Sequence, residues 1–195
     1  MTVMDVIMKP KELSLLAVNA FGAMQKVLEF EALLDVLSFH KIQNILEIGS
    51  GRGGTSWAWT KLGANVTAID LPTGPWGGSI TPETIQYIKE NATGSFTYIA
   101  GDSRDPKTFK QVNNKRFDFL FIDGDHSYEG VKQDYKTYSK LVKSSGLIAL
   151  HDICDHDVST GCEVAKFWRE LELYEKTRAI KKDPTTWGGL GLVYK

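Results

Sequence analysis

The sequence of 195 residues predicts an α/β fold, a three-layer sandwich in which helices cover both faces of a seven-stranded, mostly parallel sheet. Two observations carry this. From Asn44 onward, short apolar runs alternate regularly with segments of helical periodicity, the pattern of parallel strands joined by crossover helices. The last two runs, KTRAIK and GLGLVY, are separated by too few residues for a crossover helix, so they form a hairpin and the last strand runs antiparallel.

Ahead of this alternation, Leu13 to Phe39 place Leu15, Leu16, Phe21, Met24, Val27, Leu28, Leu33, Leu34 and Leu37 at helical spacing, which predicts one or two amphipathic helices. Residues 1–43 are expected to form a helical cap on a domain of residues 44–195. The strands follow as NILEIG, NVTAID, SFTYIAGD, FDFLFID and GLIALHD, with helices starting near Gly54, Thr81, Asp105, Tyr128 and Gly161. Thr81 and Asp105 suit helix caps, and Pro82 and Pro106 suit the first helical position, where a missing N–H costs nothing. After Tyr128, Val131, Tyr135, Tyr138, Leu141 and Val142 share one face and Lys132, Lys136, Lys140 and Lys143 the other, which reads as a buried face and a solvated one. No repeat, low-complexity tract or flexible linker divides the chain. The whole is a Rossmann-like arrangement.

A net charge of -1, with 42% hydrophobic and 24% charged residues, fits a globular domain. It offers no broad positive field for nucleic acid, so none is expected as a partner. No stretch is long enough to cross a bilayer, and no basic stretch followed by an apolar run marks an export signal, so a cytoplasmic location is expected. Cys154 and Cys162 are too few and wrongly spaced for a disulfide framework and read as free thiols.

The first strand runs into Glu47-Ile48-Gly49-Ser50-Gly51-Arg52-Gly53-Gly54. Glycine is needed where a chain turns sharply out of a strand and lets a ligand approach its backbone, and ligands collect at the carboxyl ends of parallel strands. Asp70 closes the second strand, placed to accept hydrogen bonds from ribose hydroxyls, and Asp102 and Ser103 close the third, placed to meet an adenine amine. A sulfonium and an α-ammonium favour nearby carboxylates, and Glu47 adds one, which points to S-adenosylmethionine. The loop read as Gly49, Gly51 and Gly54 also fits the dinucleotide spacing, so a nicotinamide-dependent oxidoreductase stays open. A cofactor-binding protein without transferase activity is a third reading.

With ILEIGSGRGG, VTAID, AGDS and FDFLFIDGDH in order, the sequence resembles the class I S-adenosylmethionine-dependent methyltransferases from Asn44 to the C-terminus. FIDGDHSYEGVKQDY followed by GLIALHDI is more specifically similar to the branch of cephalosporin hydroxylase-like and macrocin O-methyltransferase-like proteins. The resemblance implies O-methylation of a hydroxyl on a small molecule such as a sugar or secondary metabolite. It further implies cofactor contacts from Glu47, Gly49, Gly51, Asp70 and Asp102, with Ser50, Ser103 and Asp123 alongside, and a homo-oligomer.

Methyl transfer is an in-line displacement, so the protein must align the acceptor, take up its proton and exclude water. The fourth strand starts at Asp118 and delivers Asp123, Asp125 and His126 at its carboxyl end; the fifth delivers His151 and Asp152. Asp123, His151 and Asp152 could hold Mg²⁺ or another divalent cation, which would lower the pKa of a bound hydroxyl. Related metal-dependent O-methyltransferases have a carboxylate ending the fourth strand and two oxygen ligands ending the fifth; here the third place falls on His151 or Ile153. Without a metal, His126 or His151 would be the base, because imidazole titrates near neutral pH. Asp155 and His156 are weaker candidates, and His40 reads as structural. Trp76 and Trp187 sit in loops that could cover the site, whereas Trp57, Trp59 and Trp168 read as packing residues.

Overall fold

The computed structural model describes residues 8–73, 79–182 and 187–195; Trp76 lies outside them. Strands β1 (Asn44–Ile48), β2 (Asn65–Asp70), β3 (Ser95–Ala100), β4 (Phe117–Ile122), β5 (Val142–His151), β6 (Lys176–Ile180) and β7 (Leu190–Tyr194) form one sheet in the order β3-β2-β1-β4-β5-β7-β6. Strands β3, β2, β1, β4 and β5 pair in parallel. The hairpin expected at the end is present, and β7 inserts antiparallel between β5 and β6.

Among the described residues, seven α-helices flank this sheet: α1 (Pro10–Asn19), α2 (Val27–Ser38), α3 (Gly54–Lys61), α4 (Pro82–Asn91), α5 (Pro106–Lys110), α6 (Tyr128–Tyr138) and α7 (Val164–Tyr174). Side chains of a strand alternate between faces. On β4, Phe119 and Phe121 join a core with α1, α2, α3 and α4, while Leu120 and Ile122 join one with α6 and α7. The N-terminal helices thus share their core with the sheet: Leu13, Ala17, Phe30, Leu33 and Leu34 are buried with Ile45 and Trp59. Trp57, Trp59 and Trp168 are buried packing residues, with Trp57 stacked on Phe21 at 3.9 Å.

Local chemistry starts the helices where the sequence marks them. The Thr81 hydroxyl accepts from the Thr84 amide at 3.1 Å and the Asp105 carboxylate from the Lys107 amide at 2.8 Å, caps worth about 1 kcal/mol each. Helix α7 starts at Val164 rather than Gly161, because Gly161 takes a left-handed conformation at φ 68 that ends a 3₁₀ turn. Helix α6 ends at Tyr138, a 3₁₀ turn holds Lys140 and Leu141, and Val142 opens β5, so of the expected lysine face only Lys132 and Lys136 lie on the helix; Lys132 pairs with Glu170 at 3.0 Å, and Lys143, on β5, with Asp118 at 2.6 Å. His40 caps α2 through a 2.8 Å contact with the Val36 carbonyl. Among the described residues no helix is long and apolar enough to cross a membrane.

Candidate active site

At the carboxyl edge of β1 and β2 the chain is tied tightly to itself. One oxygen of Asp70 accepts from the Ser50 amide (3.1 Å), the Ser50 hydroxyl (3.1 Å) and the Gly51 amide (2.8 Å); the other accepts from the Leu71 amide (2.8 Å). Burial pushes the Asp70 carboxyl up, against the pull of these donors. The glycines of the loop have separate duties. A Cβ at Gly49 would overlap the Asp123 carbonyl oxygen, so Gly49 lets the ends of β1 and β4 approach; one at Gly54 would overlap the backbone of Ala17 and Ala23. Gly51, at φ 51, faces open space, as a backbone approached by a ligand must.

Glu47 lies beneath this loop, not at its open side. Its carboxylate accepts from the Ser56 hydroxyl and from Trp59 Nε1 (2.9 Å), and burial pushes its pKa from 4.5 to about 7. Asp102 accepts from the Arg104 amide (2.8 Å) and pairs with the Arg104 side chain (3.1 Å), which holds its carboxyl below the usual range. Arg104 also reaches Asp125 at 3.0 Å. Asp125 therefore diverges from Asp123. The Ser103 carbonyl accepts from the Tyr138 hydroxyl at 2.7 Å, which fastens the end of β3 to α6.

The edge of β4 and β5 gathers charge. Asp123 continues from β4, its amide bonded to the Ile48 carbonyl at 2.8 Å. One of its carboxylate oxygens lies 3.2 Å from His126 Nε2 and 3.1 Å from His151 Nδ1; the other accepts from Gln25 Nε2 at 2.9 Å. Asp152 is the only non-glycine residue with positive φ (62) among the described residues. One of its oxygens accepts from the Gly188 amide (2.9 Å) and faces His156 Nε2 (3.2 Å); the other lies 3.5 Å from both His126 Nδ1 and His151 Nδ1. Burial alone would raise the Asp123 carboxyl and lower both imidazoles, but the ion pairing outweighs it: Asp123 is held low and His126 and His151 are held high. His151 is enclosed, with its side chain 3% exposed, whereas that of His126 is 40% exposed. Asp155 turns outward to Arg169 at 2.9 Å.

A family described as a methyltransferase domain matches residues 46–153, more than half of the chain, from within β1 to just past the end of β5. The chain belongs to this family. None of the curated proteins matches its sequence. The fold is similar to that of an O-methyltransferase from Bacillus cereus solved with SAH, at 17% identity and a TM-score of 0.64, covering 96% of this chain and 90% of that one. It is similar also to the O-methyltransferase TomG from Streptomyces achromogenes, involved in tomaymycin synthesis and solved with SAM, at 15% identity and a TM-score of 0.67 over 96% and 89% of the chains. The methyltransferase MycE of the mycinamycin biosynthetic pathway, solved with Mg and SAH, matches at 15% identity and a TM-score of 0.62, over 96% of this chain and 54% of its own.

In this methyltransferase, part of the candidate site is built from segments that carry no motif. Gln25, in the connection between α1 and α2, is buried and reaches Asp123 across 98 positions of sequence. Glu29 on α2 accepts from the Gly189 amide (2.7 Å) and the Lys182 amide (3.0 Å), which ties the approach to β7 onto the N-terminal helices. Trp187 stands edge-on to His151 at 6.1 Å, with Lys26 over its ring at 5.3 Å. An aromatic ring thus stands beside His151 of the charged cluster, with an ammonium over that ring.

Proposed function

We propose that this methyltransferase takes its methyl group from S-adenosylmethionine and delivers it to a hydroxyl of a small molecule. The observation that carries the reading is the Asp123–His126 pair at 3.2 Å, at the end of a strand that adjoins the glycine loop and next to an aromatic wall. The cofactor fits the residues present: Gly51 leaves space above the loop, and the Asp70 oxygen bonded only to the Leu71 amide retains a lone pair for a ribose hydroxyl. Solved proteins of the same fold with SAM or SAH bound, O-methyltransferases among them, support both donor and acceptor class.

In the transfer, the acceptor oxygen bonds the methyl carbon as the carbon–sulfur bond breaks, the thioether leaves with the electron pair, and the hydroxyl proton passes to a base. His126 is assigned that role over His151 because its ring is accessible, with Asp123 fixing its orientation; because the same ion pairs hold its imidazole high, the base is its deprotonated form, and turnover is expected to rise with pH. Asp123, His151 and Asp152 offer ligand atoms within 4.8 Å of one another, two carboxylates and an imidazole, and this donor set fits a divalent cation such as Mg²⁺. When bound, the cation would lower the pKa of the acceptor hydroxyl. The test is transfer of a labelled methyl group from S-adenosylmethionine to a panel of small hydroxyl compounds, with and without chelator. Labelled product that disappears in His126→Gln supports the assignment; equal product from the variant removes His126 as the base.

A further inference from the structure

Beside the carboxylate position lies a second set of donors. His126, Asp152 and Cys162 offer a nitrogen, an oxygen and a sulfur that all lie within 4.8 Å of one another. We infer that these three side chains form a thiolate-containing site for a transition-metal ion of the Zn²⁺ class, distinct from the Asp123, His151 and Asp152 set and sharing only Asp152 with it.

Three features support a built site. The imidazole presents Nδ1 to Asp152 at 3.5 Å. A tetrahedral zinc centre with N and O bonds of about 2.1 Å has edges of roughly 3.4 Å, so this pair is already spaced as two ligands. The other ring nitrogen, Nε2, lies 3.2 Å from Asp123. A carboxylate on one nitrogen fixes the tautomer that offers the other to a metal, the arrangement that supports most metal-bound histidines. Cys162 is held in place from both sides: its amide donates to the Thr160 hydroxyl at 3.2 Å, and the next amide, of Glu163, donates to the His126 carbonyl at 2.8 Å. The loop after β5 is thereby anchored to the loop after β4 at the residue whose ring faces the thiol.

The donor chemistry separates the two positions. Mg²⁺ takes oxygen ligands and sits on the carboxylate side; a thiolate with an imidazole selects Zn²⁺ and similar ions. Binding at the thiolate side displaces two protons to solvent, one from the Cys162 thiol and one from Nδ1 of the His126 imidazolium, as the sulfur–metal and nitrogen–metal bonds form. It also leaves His126 with one nitrogen on the metal and the other on Asp123. Given the proposed role of His126 as base, Zn²⁺ would then inhibit methyl transfer where Mg²⁺ would not, a consequence that rests on that reading although the site itself does not.

The test is a Co²⁺ titration of the full metal-free chain under reducing conditions, followed by absorption. The expected result is one equivalent bound, with thiolate-to-cobalt charge transfer in the near ultraviolet and intense tetrahedral bands in the visible, displaced by Zn²⁺ but not by Mg²⁺. In Cys162→Ser the charge-transfer band disappears and affinity falls more than about tenfold. A weak octahedral spectrum without charge transfer overturns the proposal, as does a band that survives in Cys162→Ser, which would assign the thiolate to Cys154. Circular dichroism of Cys162→Ser separates a lost ligand from a lost fold. S-adenosylhomocysteine calorimetry on the same samples keeps the two readings apart: cofactor binding without the cobalt band removes only the metal site, and the band without cofactor binding removes only the proposed reaction.

Discussion

Two corners of one sheet edge solve opposite problems. At the β1–β2 corner the prominent carboxylates are answered from within: Asp70 accepts three hydrogen bonds from the glycine loop and one from Leu71, and Glu47 is enclosed by Ser56 and Trp59. At the β4–β5 corner Asp123 and Asp152 crowd against three imidazoles, Asp152 occupies a left-handed conformation, and His151 Nε2 and Gln25 Oε1 are buried without a hydrogen-bond partner among the described residues. A satisfied corner gives a rigid cradle, suited to a cofactor that binds the same way each time. A corner with charge held in tension and unanswered groups suits chemistry, where a ligand completes the set.

The largest expected effect falls at the charged corner. Asp123→Asn keeps the shape but removes the charge that orients His126, and turnover is expected to fall by about 10²- to 10⁴-fold. S-adenosylhomocysteine affinity should stay within a few-fold. A parallel loss of both would mean that the corners do not work separately.

Next comes Glu47. Its carboxyl is raised from 4.5 in the unfolded chain to about 7 in the fold, so the folded state prefers the protonated form. The contribution is complete below pH 4.5 and is lost as pH rises through about 7, a change of about 3 kcal/mol. Glu47→Gln removes this dependence. In denaturant unfolding, the stability of the native chain relative to the variant should decline between these pH values; a constant difference would show that Glu47 is not enclosed as described.

Gly51→Ala is the mildest. Its φ of 51 costs a residue with a Cβ about 1–2 kcal/mol, and no neighbour is struck. Thermal unfolding should show that modest loss, while cofactor affinity drops further because the added methyl enters the space above the loop. Unchanged affinity would place the cofactor elsewhere.

The sheet was legible because each strand is a short apolar run with a marked end, and the capping residues Thr81 and Asp105 fixed where helices begin. The strand-end acids were legible for the same reason: a carboxylate after an apolar run lies at the ligand edge. What Glu47 does was less visible. Alternation places it on the same side as Ile45, under α3, where Trp59 and Ser56 enclose it; a charge count alone cannot distinguish an enclosed carboxylate from one open to a sulfonium. Asp102 was found at its strand end, but its pairing with Arg104 two residues on depends on a turn. Gln25 and Glu29 had no signal, because their partners are distant in sequence and nothing in an amphipathic helix specifies which loop its connection will touch; Trp187 was legible as a loop aromatic that could cover the site, but not its partner His151.

The measurement that bears most directly on the central claim is calorimetric titration with S-adenosylhomocysteine of the native chain and of Asp70→Ala, with NAD as a control. Saturable binding of S-adenosylhomocysteine, weakened about 10- to 100-fold in the variant as a charged hydrogen-bond acceptor is lost, with no heat from NAD, is the predicted result. Heat from NAD and none from S-adenosylhomocysteine would contradict it.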